Sequence, residues 1–396
     1  MAARPSVEVA DVLRCPEVQA LVGRYPAHYR RIGRALTACR TAALGGHVDE
    51  CDQCGHRQIS YNSCRNRHCP KCQASATAEW VEAQRDHLLP VPYCHVVFTL
   101  PQDVAMLALQ NRRLLYGLLF QCASETLLEL AADGRHLGAR IGFLAILHTW
   151  GQKLELHPHL HCLVPAGGLS QERDAWVPCR PGFFLPVRVL SRLFRGKYVS
   201  ALADAFRKGK LRLEGELAHF TDPVQFEDLI RQLRKREWVV YAKPPFGGPE
   251  VVVNYLARYT HRVAISNRRI TGISHGRVTF DWKDYAHEHR TRSLTLDVVE
   301  FARRFLLHVL PQRFVRIRYY GFLSNTCRQR ELRICRELLN QAASAEERSG
   351  PAAEEIRQTV SAADSAEATD TNVHRTCPSC QTGNLRCVEI LVNDTS

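Results

Sequence analysis

Three groups of side chains in this sequence have the types and spacing that chemistry needs. The first is a thiolate cluster, Cys51-x2-Cys54 and Cys69-x2-Cys72, with Cys64 and His68 between and His47 just before. Two CxxC knuckles at this separation suit a tetrahedral zinc ion, since each knuckle turns two thiolates toward one cation. Cys51, Cys54, Cys69 and Cys72 are the first choice of ligands, with His47, Cys64 and His68 as substitutes or partners of a second ion. The second group is Leu156-His157-Pro158-His159-Leu160-His161. On a strand, residues i and i+2 share a face, with Cα atoms ~6.6 Å apart, so His159 and His161 can reach one metal ion together. The third is a pair of tyrosines, Tyr255 and Tyr259, one helical turn apart amid Arg258, His261 and Arg262. A phenol of pKa ~10 is a weak nucleophile at neutral pH. A nearby divalent ion polarising a phosphate would let it attack and form a covalent phosphotyrosine link, with no nucleotide cofactor.

Elements must position these groups. Ile141 to Trp150 and Leu154 to Pro165 read as two strands joined by Gly151-Gln152-Lys153. Antiparallel pairing across that turn places His148 opposite His159, which makes His148 the expected third ligand. His157 shares the face but stands ~13 Å from His161 along the strand; Gln152 and Glu155 remain alternatives. Tyr93 to Leu100 reads as another strand, and Gln102 to about Ala132 as a long helix. Residues 187–238 read as helical and basic, with Asp222-Pro223 as a helix start, then a short strand Trp238 to Tyr241 and a breaker loop Pro244 to Pro249. A hairpin is expected from Arg269–Ile273 and Arg277–Trp282, and a last helix from Leu294 to Leu310. The fold class that follows is α+β, with helices backing an antiparallel sheet.

The chain divides into a helical and zinc-binding unit over 1–90, a catalytic unit over 91–335 and a largely disordered tail over 336–396. The Ala/Ser/Glu/Asp-rich composition of 341–373 underlies the tail assignment. Within that tail His374, Cys377, Cys380 and Cys387 form a candidate second small zinc site.

Composition narrows the class. The chain has 396 residues, 45% of them hydrophobic, and a formal charge of +13 from 53 Lys+Arg against 40 Asp+Glu. That surplus favours a polyanionic partner. Arg65, Arg67 and Lys71 on the metal-rigidified knuckle, with Arg258 and Arg262, are the candidate phosphate contacts. Sixteen cysteines in a reducing compartment read as metal ligands rather than disulfides, while Cys94, Cys122, Cys162 and Cys179, standing alone, read as core. No apolar run of membrane-spanning length and no secretory leader are evident, so a cytoplasmic protein is expected, one that would act at the bacterial nucleoid.

With these residues in view, the chain resembles the HUH superfamily of single-strand endonucleases, and within it the two-tyrosine rolling-circle transposases of bacterial insertion sequences. Cys64-Arg-Asn-Arg-His-Cys-Pro-Lys-Cys72 is similar to that family's zinc-binding domain. His95-Val-Val-Phe-Thr-Leu-Pro101, His148-Thr-Trp-Gly-Gln152 and His157-Pro-His-Leu-His161 are similar to its catalytic core, and Tyr255-Leu-Ala-Arg-Tyr259 to its tyrosine motif. Arg304-Phe-Leu-Leu-His-Val-Leu-Pro311 and Arg316-Ile-Arg-Tyr-Tyr-Gly321 resemble its C-terminal core. The resemblance spans roughly residues 20–330. It implies that His159 and His161 bind Mg2+ or Mn2+, and that Tyr255 and Tyr259 form 5′-phosphotyrosine intermediates at single-stranded DNA ends. Imidazole suits Mn2+ or Zn2+ better than Mg2+, so the identity of that ion stays open. Two other readings compete: a plasmid replication initiator or relaxase with the same chemistry, and a non-catalytic zinc-dependent DNA-binding regulator.

Overall fold

The computed structural model describes residues 7–248, 251–252, 263–285, 287, 290–349 and 376–392. Tyr255, Tyr259, Arg258, Arg262 and His374 lie outside them.

Three short helices open the chain: α1 (Val9–Arg14), α2 (Pro16–Gly23) and α3 (Ala27–Ala38). The apolar stripe of α3, Ile32, Gly33 and Leu36, faces inward while its arginines face out. The hairpin β1 (Gly46–Cys51) and β2 (Arg57–Tyr61) follows, then α4 (Gln73–Arg85) and β3 (Tyr93–Thr99). The expected long helix is two, α5 (Gln102–Gln110) and α6 (Arg112–Ala132). Asn111 breaks it. Its side chain turns out of the helix to accept from Arg212 N (2.7 Å) and donate to Arg212 O (2.9 Å). Helix α6 is long and apolar enough to cross a membrane by length and composition, but most of it is packed inside the protein.

Next come β4 (Gly142–Trp150), β5 (Leu156–Pro165), the small ribbon β6 (Gly167–Leu169) and β7 (Trp176–Pro178), α7 (Val187–Arg207) and α8 (Pro223–Lys235). Asp222 caps α8 by accepting from Val224 N, with Pro223 in the first turn. Strand β8 (Val240–Phe246) runs through Pro244 and Pro245, where the sequence suggested a loop. It can do so because it is the edge of its sheet, where a missing N–H costs no ladder bond. Then follow β9 (Ile270–Ser274), β10 (Arg277–Asp284), β11 (Arg290–Asp297), α9 (Val298–Leu307), β12 (Ile317–Gly321), α10 (Arg328–Ser349) and β13 (Leu385–Leu391). The helix expected from Leu294 therefore begins four residues later, and it is not the last, since α10 follows it. Leu294 and Leu296 alternate on a strand paired with Phe280 and Val278, and Asp297 caps the helix by accepting from Val299 N.

The central sheet has the order β12-β4-β5-β3-β8 with every pair antiparallel. Its two faces diverge. Val96, Phe98, Phe143, Ala145, Leu147, Leu160, Cys162 and Val164 point into a core shared with α5, α6, α7 and α8. The lone cysteines Cys94, Cys122 and Cys162 are buried there, as their isolation in the sequence suggested. Among the described residues, the other face is covered by apolar packing at one end, where Tyr93, Leu144, Ile146 and Leu163 meet Leu332 and Cys335 of α10. The other end carries histidines. A third core joins α1–α3 to α9 and the β9–β11 sheet, and Leu154, in the β4–β5 turn, is buried within it.

Candidate active site and metal centres

The hairpin β4–β5 does what its sequence register demanded. His148 is the cross-strand partner of His159, and Ile146 that of His161. His148, His159 and His161 each offer a ring nitrogen within 4.8 Å of the others. Leu160 points to the opposite face and is fully buried. His148 is itself buried, with its ring stacked on Trp150 at 4.7 Å.

The hydrogen bonds fix which nitrogens face inward. His159 Nδ1 lies 2.6 Å from the carbonyl oxygen of His157, so it must carry the proton, and Nε2 keeps its lone pair. His161 Nδ1 lies 2.8 Å from Nε2 of His95, a buried residue on β3. Burial, with Lys243 adding repulsion, lowers the His95 pKa to about 4, which keeps that imidazole neutral and able to accept. When His161 Nδ1 donates to His95, the Nε2 atoms of His159 and His161 present two lone pairs to each other at 3.1 Å. Two nitrogens each about 2.1 Å from one cation stand about this far apart when they subtend roughly a right angle. The donor set thus fits a divalent ion. His95 was not among the site residues expected; only its place at the head of the motif His95-Val-Val-Phe-Thr-Leu-Pro101 hinted at it.

The loop between the strands is tightly specified. Gly151 N donates to Glu155 O (3.0 Å), and Glu155 Oε2 accepts from Lys153 N (2.8 Å). A Cβ at Gly151 would sit 2.0 Å from the Glu155 carboxylate, so a larger residue there would displace that side chain from its bond to Lys153 N. Leu154 has φ 61 and is buried; its carbonyl accepts from His308 Nε2 (3.1 Å).

The histidines line a cleft of about 510 Å³ between this hairpin and the β9–β11 sheet. Its walls carry Lys153, Arg269, Lys283, Trp282 and Tyr285, and Glu155 is the single acid among the described residues that line it. Lys153 Nζ stands 4.0 Å over the Trp282 ring. Arg269 donates to Asp281 O (2.7 Å) and to Gln152 O, which ties the sheet to the hairpin loop. His157 also lines the cleft, and among the described residues it stands outside the three-histidine cluster.

The cysteines group otherwise than expected. Cys51 and Cys54 do not meet Cys69 and Cys72. One cluster is Cys39, Cys64, Cys69 and Cys72; another is Cys51, Cys54, Cys377 and Cys380. Strand geometry is the reason. Cys51 and Cys54 sit at the turn of the β1–β2 hairpin, and β2 then carries the chain back by five residues, or about 17 Å. Cys64 therefore emerges at the open end, where Cys39 precedes β1. Cys64 and Cys72 place their sulfurs 3.8 Å apart. A tetrahedron of thiolates with Zn–S of about 2.3 Å has an edge of about 3.8 Å. Cys39, which the sequence reading passed over, completes the set, and its sulfur accepts from Cys64 N (3.4 Å). His47 instead pairs with Asp49 (3.4 Å), and neither it nor His68 belongs to either cluster. Cys387 is exposed on β13, outside both clusters.

Two of the expected phosphate contacts face inward. Arg67 donates to Phe314 O (2.5 Å) and Pro311 O (3.3 Å), and Lys71 pairs with Glu8 (2.5 Å). Arg65 is exposed.

A mixed α+β protein with an antiparallel central sheet, a histidine cluster and a thiolate-rich N-terminal unit is the class so defined. Residues 14–100 match the family described as "Transposase zinc-binding domain", and residues 142–330 the family described as "Putative transposase". The chain is 51% identical over 390 residues to "Putative transposase y4qJ" of Sinorhizobium fredii, covering 98% of this chain and 96% of that one. It is 30% identical over 299 residues to "Transposase for insertion sequence element IS801" of Pseudomonas savastanoi pv. phaseolicola, covering 73% and 69% respectively. No solved structure matches. The chain belongs to the IS91-like insertion-sequence transposases that carry an N-terminal zinc-binding domain. Its structural metal is zinc, and the Cys39/Cys64/Cys69/Cys72 cluster lies within the matched zinc-binding region.

Proposed function

We propose that this transposase cleaves and rejoins single-stranded DNA at the ends of its element, through Tyr255 and Tyr259, with a divalent cation on His148, His159 and His161. The observation that carries the reading is the convergence of three imidazoles in a cationic, aromatic-walled cleft. Every base has a π-face, so an exposed tyrosine and a tryptophan at such a wall suit unpaired nucleotides. Lys153, Arg269 and Lys283 suit the phosphates between them.

When bound, a divalent cation supplies polarisation of the scissile phosphate and offsets the charge that develops on it. The chain's own residues do the rest. His95 holds the ring of His161, and the His157 carbonyl holds that of His159. A tyrosine oxygen attacks phosphorus and loses its proton. The bond from phosphorus to the 3′ oxygen breaks, and the 3′ oxygen leaves as a hydroxyl. The phosphotyrosine retains the bond energy for rejoining to another 3′-hydroxyl. The placement of neighbouring residues favours this assignment. Val263 and Ala264 line a small cavity together with Trp150, whose ring stacks on His148. Tyr259 is four residues from Val263, a reach of at most about 14 Å. Arg65, Arg258 and Arg262 would serve as further phosphate contacts, and a cytoplasmic site of action at the nucleoid goes with the reading.

The test is a covalent-adduct assay with a single-stranded oligonucleotide bearing an element end, in Mg2+ or Mn2+. The parent and each single Tyr→Phe variant should form the adduct, and Tyr255→Phe/Tyr259→Phe should form none. An adduct from the double variant, or none from the parent with either metal, would refute the proposal.

A further inference from the structure

The second cysteine cluster joins residues from the two ends of the described chain. We infer that Cys51, Cys54, Cys377 and Cys380 hold a second structural zinc, which clasps the C-terminal strand onto the N-terminal unit. The matched zinc-binding region ends at residue 100, so half of this ligand set lies beyond it.

Geometry carries the inference first. Cys51 and Cys380 sulfurs are 3.7 Å apart, and those of Cys54 and Cys377 are 3.6 Å apart, although 329 residues separate Cys51 from Cys380. All four sulfurs lie within 4.8 Å of one another. These separations match the edge of about 3.8 Å expected for four thiolates around zinc, and exceed a disulfide bond of about 2.05 Å.

The turns carry it second. Cys51-Asp-Gln-Cys54 and Cys377-Pro-Ser-Cys380 fold alike. In each, the N–H two residues on points at the first sulfur: Gln53 N to Cys51 Sγ at 3.5 Å, Ser379 N to Cys377 Sγ at 3.4 Å. In each, the N–H four residues on returns to the first carbonyl: Gly55 to Cys51 at 3.1 Å, Gln381 to Cys377 at 2.9 Å. Each ends on a left-handed residue, Gly55 at φ 69 and Gln381 at φ 59. N–H groups aimed at sulfur stabilise the thiolate form that a metal requires. A Cβ on Gly383 would lie 2.5 Å from Cys51 Sγ, so the tail presses directly on the cluster.

Burial carries it third. Strand β13 pairs with β1, Cys51 opposite Leu385, but most of its side chains are exposed, and most of those of β2 are too. Val388, Ile390 and Val392 are at least half exposed. A three-stranded sheet with so little apolar burial needs a staple, and a structural metal is the usual one.

Zinc content tests this. The His159→Ala/His161→Ala chain serves as background, which removes metal bound at the active site. Reduced and dialysed, it should carry two zinc ions by native mass spectrometry. Adding Cys377→Ser/Cys380→Ser should remove one, adding Cys54→Ser the same one, and adding Cys387→Ser none. Two ions retained after Cys377→Ser/Cys380→Ser, or a single ion in the background chain, would overturn the inference. A second measurement leaves every cysteine in place. A specific protease site is inserted between residues 349 and 376 and cut. The released segment should stay with the body in zinc buffer and leave on chelation. Its loss in zinc buffer with both ions still on the body would equally overturn it.

Discussion

Nε2 of His95 on β3 meets Nδ1 of His161 on β5 at 2.8 Å, so one imidazole orients another across neighbouring strands. Partners of this kind set the tautomer of a ligand, and their loss commonly costs 10–100-fold (roughly) in metal affinity or activity. His95→Ala should raise the Mn2+ concentration for half-maximal oligonucleotide cleavage by about that factor. His95→Gln, which keeps an acceptor, should recover part of the loss. Unchanged metal dependence in His95→Ala would remove His95 from the site.

The cleft wall gives a second expectation. Loss of a stacking ring costs about 1–3 kcal/mol per base. Trp282→Ala should weaken single-strand binding roughly 5- to 150-fold and leave duplex binding little changed. Lys153→Ala should lower the slope of log K against log salt by about 0.7, one single-strand phosphate contact. Fluorescence anisotropy across a salt series reads both. Equal loss on duplex and single strand would argue against a stacking role.

Arg67 and Arg65 should part company. Arg67 ties the zinc knuckle to the Pro311 and Phe314 carbonyls, so Arg67→Ala should lower unfolding stability by about 1–3 kcal/mol. Arg65→Ala should leave stability within about 0.5 kcal/mol, as exposed surface changes usually do, and weaken DNA binding. Denaturant unfolding and anisotropy on both variants decide it.

Stability should fall in mild acid, and His308 should contribute. It is buried, donates through Nε2 to Leu154 O and shares 3.2 Å with Thr149 Oγ1. Burial lowers its pKa from 6.5 to about 4. The unfolded chain therefore binds a proton near pH 6.5 that the folded chain refuses until near pH 4. Its contribution is complete above pH 6.5 and declines as pH drops toward 4, by up to about 3 kcal/mol. Urea unfolding at stepped pH should show His308→Gln with a slope shallower by about one proton over that window. The parent slope surviving in His308→Gln would discount the residue.

The strands and the histidine pairing were legible because period-2 patterning and a short turn set register without reference to the rest of the chain. His148 opposite His159 followed from counting. His95 did not, since a single histidine in an apolar strand carries no mark of which neighbour it will reach. The cysteine grouping failed for a related reason. Spacing along the chain suggested Cys51, Cys54, Cys69 and Cys72 as one set. An intervening strand moved the second pair away, and the true partners lay at Cys39 and beyond residue 376. Strand β13 and the later part of the helix at Arg328–Ser349 fell in the 336–396 region whose composition reads as a tail, and the partners of these elements, Leu144, Ile146 and β1, are far off in sequence. The tyrosine pair lies outside the described residues, so its assignment rests on resemblance and on the placement of its neighbours.

Strand β13 has a consequence for biosynthesis. On the ribosome, Cys51 and Cys54 emerge more than three hundred residues before Cys377 and Cys380. The β1–β2 hairpin must wait, with two thiols unmatched, until that later segment has been made. A product cut short before Cys377 by a stop codon or a shifted frame never supplies the missing half, and so differs from a longer copy in a hairpin made hundreds of residues earlier.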